Sequence, residues 1–179
     1  MPRRPDSRLR LNWAILLLGW AMSATVPAGA QPASAEAVKA AFVLNFTKFV
    51  EWPDSAFESR GSPLVLCVAG VDASLHDALS ELDGRAVQGR TLTVRRAQRP
   101  SAAEGCHAAY LSDLAAADAG AGMLTIGDAP EFAARGGMIG LFDEGGKVRF
   151  EINLQSVQRS QLRFSAQLMK LARIAGERR

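Results

Sequence analysis

Six consecutive apolar residues, Leu64–Ala69 (LVLCVA), constrain this chain more than any other feature. The run has the length of a strand and no polar alternation, so neither of its sides is suited to water. Such a strand belongs inside a sheet covered on both faces, the usual place of a parallel strand. Shorter runs at 108–111 and 123–126 repeat the signal. Helix-like stretches and polar turns separate them. Gly70-Val71-Asp72 leads into a helix reaching Leu82, and Gly84 and Gly89 flank a turn before 91–95, which alternates as a half-exposed edge strand does. Ser112-Asp113 opens a helix over 114–119. Gly127-Asp128-Ala129-Pro130 opens a short one that ends at Gly136-Gly137. Connections of this length suit crossovers between parallel strands.

The two ends of this region carry different patterns. Over 35–50, Val38, Phe42, Phe46 and Phe49 share one helical face, and Val43, Leu44 and Val50 widen the apolar stripe beyond what one core contact requires. Pro53 stops the helix and leaves Trp52 at its tip. Further on, 138–142 and 147–152 read as strands of a hairpin turned by Asp143-Glu144-Gly145-Gly146. The stretch 154–174 is mostly helical, as one helix or as two with a break near Ser160 and a fresh cap at Ser165. The expected fold is a three-layer α/β domain: a mainly parallel central sheet with a C-terminal antiparallel hairpin and helices on both faces.

Residues 1–30 read as an export leader. Arg3, Arg4, Arg8 and Arg10 make a positive start, 13–24 is an apolar stretch, and Ala28-Gly29-Ala30 offers small residues for cleavage. A retained anchor is the alternative, but it needs about 20 apolar residues, and Ser23, Thr25 and Pro27 interrupt this run. Cleavage after Ala30 would leave a single domain, 31–179, in the periplasm. The chain carries 21 Lys and Arg against 18 Asp and Glu, and the leader holds four Arg and one Asp. The mature part is therefore balanced at 17 of each. The apparent basicity belongs to the leader and gives no argument for nucleic-acid binding. Cys67 and Cys106 are the only cysteines. An even count in an oxidising compartment favours a disulfide, with two buried thiols as the alternative.

No catalytic constellation emerges, and neither an enzyme nor a cofactor is expected. His76 and His107 are the only histidines. His107 follows Cys106 directly, but neighbours on a strand point to opposite faces, so they cannot serve each other as base and nucleophile. Two His and two Cys without short ligand spacing make no zinc motif. Gly70, Asp72, Ser112, Asp113, Gly127 and Asp128 fall where parallel strands end, the place at which open α/β sheets bind small molecules. Helix capping explains the same residues, and the spacing after Gly70 lacks the dinucleotide fingerprint. A solute-binding crevice there is the alternative to a protein-binding role. For the latter, aromatic residues beside cations make efficient anchors. Lys48 with Trp52 forms one such group; Arg149, Phe150, Glu151, Arg163 and Phe164 form another.

Five blocks then occur in order: AFVLNFTKFVEWP, LVLCVAG, TIGDAPEFAARGGMIGL, KVRFEINL and LRFSAQLMKLARI. Together they resemble the YfiR family of periplasmic regulators over essentially the whole mature chain. The resemblance implies a repressor that binds the periplasmic sensor domain of an inner-membrane diguanylate cyclase and so keeps cyclic-di-GMP and biofilm formation low. It further implies a homodimer, and relief by an outer-membrane lipoprotein or a redox signal that sequesters the repressor. One departure matters: better-studied members have a second cysteine pair towards the C-terminal hairpin, and this chain has none there. Only Cys67 and Cys106 are left for any redox role.

Overall fold

The computed structural model describes residues 33–98, 105–113 and 122–176. The leader and the helix expected at 114–119 lie outside them. Helix α1 (Ala35–Phe49) begins at Ser34, whose hydroxyl accepts from the Ala37 N–H, and carries Glu36 in its first turn and Lys48 in its last, the favourable signs for the helix dipole. It runs into the short strand β1 (Val50–Glu51) and a 3-10 turn over Asp54–Ala56. Strand β2 (Leu64–Ala69) is followed by α2 (Ala73–Ser80), capped by Asp72. A tight hairpin joins β3 (Ala86–Val87) to β4 (Arg90–Ala97), with Gln88 and Gly89 both at positive φ (51° and 77°) as a primed two-residue turn demands. Then come β5 (Ala108–Leu111), β6 (Leu124–Gly127), β7 (Ile139–Asp143) and β8 (Val148–Ile152). The chain closes with α3 (Leu154–Arg159), β9 (Arg163–Phe164), α4 (Ala166–Leu171) and β10 (Arg173–Ile174).

The fold class expected from sequence holds. Eight strands form one sheet in the order β10-β8-β7-β6-β5-β2-β4-β3, and β1 with β9 forms a separate antiparallel pair. Strands β4, β2, β5, β6 and β7 are parallel, while β8 turns back on β7 as the hairpin. Leaving β2, the chain passes to β4 on one side and returns to β5 on the other, so the connections reverse direction around β2. Leu64, Leu66 and Val68 of β2 join Tyr110 and Ile126 under α1 and α2 on one face; Cys67 and Ala69 join Ala109, Leu111 and Phe132 on the other.

Helix α1 uses its whole apolar stripe. It packs on α2, α4 and β8. Val43 and Val50, which widen the stripe in the sequence, are both completely buried. Phe42 and Phe46 meet Phe150 of β8 with ring centroids 5.7 and 5.0 Å apart. Phe150 is therefore core, not a surface anchor, and each such buried ring contributes about 1.5–3 kcal/mol.

One expected helix differs, and an alternative left open by the sequence is decided. The stretch after Asp128 is a series of turns, because Glu131 takes a left-handed φ of 58° and interrupts the helical run. These turns deliver the Phe132 ring into the second core cluster. A Cβ on Gly127 would lie 2.4 Å from that ring, and one on Gly137 2.2 Å. The 154–174 stretch resolves into two helices, with Ser160 ending α3, Gln161 at a φ of 63° turning the chain, and Ser165 capping α4. Asn153 ties the parts together: its Oδ1 accepts from Ser156 N–H at the start of α3, and its Nδ2 donates to the Ala133 carbonyl 2.7 Å away. Ser156 Oγ donates to the Gly136 carbonyl beside it.

Cys67 on β2 and Cys106 just ahead of β5 are joined in a disulfide, with Cα atoms 5.9 Å apart and a sequence separation of 39. Cross-linking a loop of that length stabilises by about 3–4 kcal/mol through the unfolded chain. The native protein should accordingly show no reactive thiol under denaturing, non-reducing conditions, and Cys67→Ala should lower the denaturant midpoint; two labelled thiols per chain would contradict this. Gly137→Ala should destabilise by about 1–3 kcal/mol, since the added methyl meets both the Phe132 ring and its carbonyl. A urea melt indistinguishable from wild type would remove the wedge role given to Phe132.

Candidate partner-binding surface

The strand-end residues come first, because the fold puts them where a ligand would be expected. Beside β2 the sheet reverses direction, and the crevice outside β2 and β5 is the usual binding point of such sheets. Here it is filled. A Cβ on Gly70 would lie 2.1 Å from Ser112 Oγ, so these two residues pack directly on each other. Asp72 is occupied in capping α2, and Asp113 pairs with Arg135 at 2.9 Å. Gly127 makes room for Phe132, while Asp128 pairs with Lys39 from α1. Each of the six residues thus has a structural partner. An open pocket of about 300 Å³ lies one strand over, between the ends of β2 and β4, lined by Val68, Gly70, Val71, His76, Arg96, Ala97 and Gln98.

Catalytic use of the histidine and cysteine next to one another is closed by geometry. Cys106 is in the disulfide. His107 Nδ1 accepts from the Val65 N–H at 3.0 Å, which leaves the proton on Nε2, 2.9 Å from the Ala56 carbonyl to which it donates. Both nitrogens are committed to the backbone. Burial holds this histidine below its ordinary value of 6.5, and the Arg90 charge adds to the shift, against the opposing pull of the Ala56 carbonyl. Tyr110 is buried without a hydrogen-bond partner among the described residues; burial first, and the Asp128 charge next, push its ionisation far up. It cannot serve as a base.

His107 is instead the centre of a platform at the end of α1. Phe57 stacks on its ring at 4.4 Å, and the Arg90 guanidinium lies over Phe57 at 3.6 Å. The same guanidinium donates to the carbonyls of Ser59, Arg60 and Ser62 and so shapes that loop. The His107 carbonyl accepts from Trp52 Nε1 at 2.9 Å. Gln88, at the tip of the β3–β4 hairpin, donates to the carbonyls of Thr47 and Val50, satisfying groups that the end of α1 would leave orphaned. None of Phe57, Gln88, Arg90 or His107 stood out in the sequence as part of a surface. Only the long-range sheet pairing assembles them.

The candidate anchors regroup around this platform. Strand β9 pairs with β1, placing Phe164 opposite Val50 and Arg163 opposite Glu51. Arg163 and Phe164 therefore join Trp52 and the exposed Lys48, although Trp52 and Arg163 lie 111 positions apart in sequence. Trp52 is half-buried and hydrogen-bonded, so it is partly structural. Arg149 and Glu151 stay on β8 as a separate group, with Glu151 between Gly140 of β7 and Arg173 of β10. Arg149 and Arg173 both reach Glu144, and Arg173 lies over the Phe142 ring at 4.3 Å.

The strand-end crevice is thus filled, the buried histidine is locked to the backbone, and aromatic and charged residues gather at one end of α1. The YfiR/HmsC-like family profile matches residues 36–173, and the chain belongs to that family, one of regulators rather than enzymes. No curated protein matches the chain. Among the described residues no helix is long and apolar enough to cross a membrane, and no cluster of His, Cys, Asp and Glu is arranged to hold a metal.

The locked histidine makes a pH prediction. With its folded-state pKa depressed, the unfolded chain takes up a proton more readily, so the stability from neutral His107 is present above about pH 6.5 and is lost as pH falls below it. The melting temperature should drop between pH 7.5 and 5.5, and His107→Gln, which can still donate to Ala56 and accept from Val65, should show a smaller drop. Equal drops in the two proteins would mean that another group carries the acid sensitivity.

Proposed function

We propose that this chain is a periplasmic repressor that binds the periplasmic sensor domain of an inner-membrane diguanylate cyclase and keeps cyclic-di-GMP low. Membership of the YfiR/HmsC-like family over residues 36–173 is the observation that carries the reading. The binding surface is the α1 end, with Lys48, Trp52, Arg163 and Phe164 as anchors. Arg149 and Glu151 supply a second contact group. Export follows from residues 1–30, with Gln31 as the first residue of the mature protein. The active form is a homodimer, and an outer-membrane lipoprotein that sequesters it would relieve repression. A solute receptor is the second reading, supported by the open pocket between β2 and β4.

The physical basis is the uneven distribution of binding energy over an interface. A few anchors carry about 1–4 kcal/mol each, while exposed side chains contribute little to the fold. Deleting the gene should raise cyclic-di-GMP and surface attachment in a cell that has the cyclase, and the wild-type gene should reverse both. The complementing protein should be recovered from the periplasm beginning at Gln31. Lys48→Glu, Arg163→Glu and Glu151→Lys should keep the wild-type melting temperature and lose at least about tenfold in affinity for the sensor domain. Trp52→Ala should lose binding too, together with some stability, because its indole also bonds to His107. Unchanged cyclic-di-GMP on deletion, or charge variants that bind like wild type, would overturn the proposal.

A further inference from the structure

The sheet has one edge that the fold leaves partly open. Strand β3 covers β4 only at Arg90 and Thr91. Just beyond, Arg85 and Gly84 take both backbone groups of Leu92, and the Asp83 carboxylate accepts the Val94 N–H at 2.7 Å. Backbone groups alternate sides along a strand. Since Leu92 and Val94 face outward, so do the N–H and C=O of Arg96, which take no partner among the described residues, while Thr93, Arg95 and Ala97 face β2. An edge of this kind is a template for another strand.

The same stretch of β4 borders the open pocket. Arg96 lines it from the strand, Gln98 from just past the strand's end and His76 from α2, and Val68 and Val71 add apolar lining. Among the described residues, no carboxylate lines it. Asp72 caps α2, Asp83 holds the Val94 N–H, and Asp77, 83% exposed, lies 3.7 Å from His76 Nδ1. Arginines crowd the strand, with Arg90, Arg95 and Arg96 in it and Arg85 beside it. A second copy is a poor partner, because edge-to-edge pairing of two β4 strands would set these arginines against each other.

We propose that this edge docks an extended acidic segment of another protein, which adds as a strand beside β4 from Val94 onward and seats a carboxylate side chain in the pocket against Arg96 and His76. Main-chain hydrogen bonds would supply affinity and the pocket would supply selectivity, the division of labour seen wherever a peptide extends a sheet. This surface is distinct from the α1 end. Its test uses no cyclase, so its failure would leave the repressor proposal standing.

Three eight-residue peptides test it: alternating glutamate and valine, alternating lysine and valine, and the acidic peptide with proline replacing valine, which cannot form the ladder. Affinity is read by fluorescence anisotropy on the mature protein, and the Arg96 N–H is followed by amide exchange. The acidic valine peptide should bind at least about tenfold more tightly than the other two and slow exchange at Arg96. Arg96→Glu should lose that difference with an unchanged melting temperature, and Arg96→Gln serves if the reversal disturbs folding. Equal binding of the three peptides, or unaltered exchange at Arg96, would overturn the proposal. So would free glutamate competing at the peptide's own affinity, since the pocket would then be a solute site.

Discussion

Strand β2 has almost no contact with water on either face, and most of the molecule is arranged to keep it so. Leu64, Leu66, Cys67, Val68 and Ala69 are all buried. One face requires the two helices packed across it. The other requires small residues, Ala69 and Ala109, close against Phe132 and the disulfide. Parallel neighbours on both sides then set the register, Leu66 opposite Val94 in β4 and Ala108 in β5. From that register follow the close approach of Gly70 to Ser112, the nearness of Cys67 to Cys106, and the position of His107 next to Val65.

The blocks that carry the family likeness have a common physical role. GDAPEFAARGG is the run of turns that inserts Phe132 between two glycines, and VRFEIN ends in the asparagine that bonds this run to α3. These residues hold one another in place. Packing of this kind tolerates little change in volume, which accounts for a recognisable pattern without any chemistry in it. The likeness identifies the scaffold.

The platform under Trp52 shows how a surface becomes rigid. Its aromatic stack and the Arg90 contacts to three carbonyls fix a loop with no regular structure of its own over 57–63, while Gln88 fixes the end of α1. Side chains already held in place lose less entropy on association. The disulfide acts on the same platform, since Cys106 precedes the histidine at its centre.

Local information in the sequence was sufficient for the six longer strands, the caps at Asp72 and Ser165, the hairpin turn and the α/β class, because each depends on neighbouring residues and on apolar periodicity; the two-residue strands β1, β3, β9 and β10 gave no such signal. Apolar width was legible in α1, but not its destination. Val43 and Val50 read as surplus until helix and sheet contacts used them, and Phe150 read as an anchor although α1 covers it. The turns after Asp128 read as helix because Glu131 gives no sign of its left-handed backbone, which the seating of Phe132 imposes. Most of all, the sequence listed Trp52 and Arg163 far apart, and His107 as a lone histidine. Their meeting depends on pairings between β1 and β9 and between β2 and β5, and long-range pairing of this kind is decided by how buried faces fit together in three dimensions.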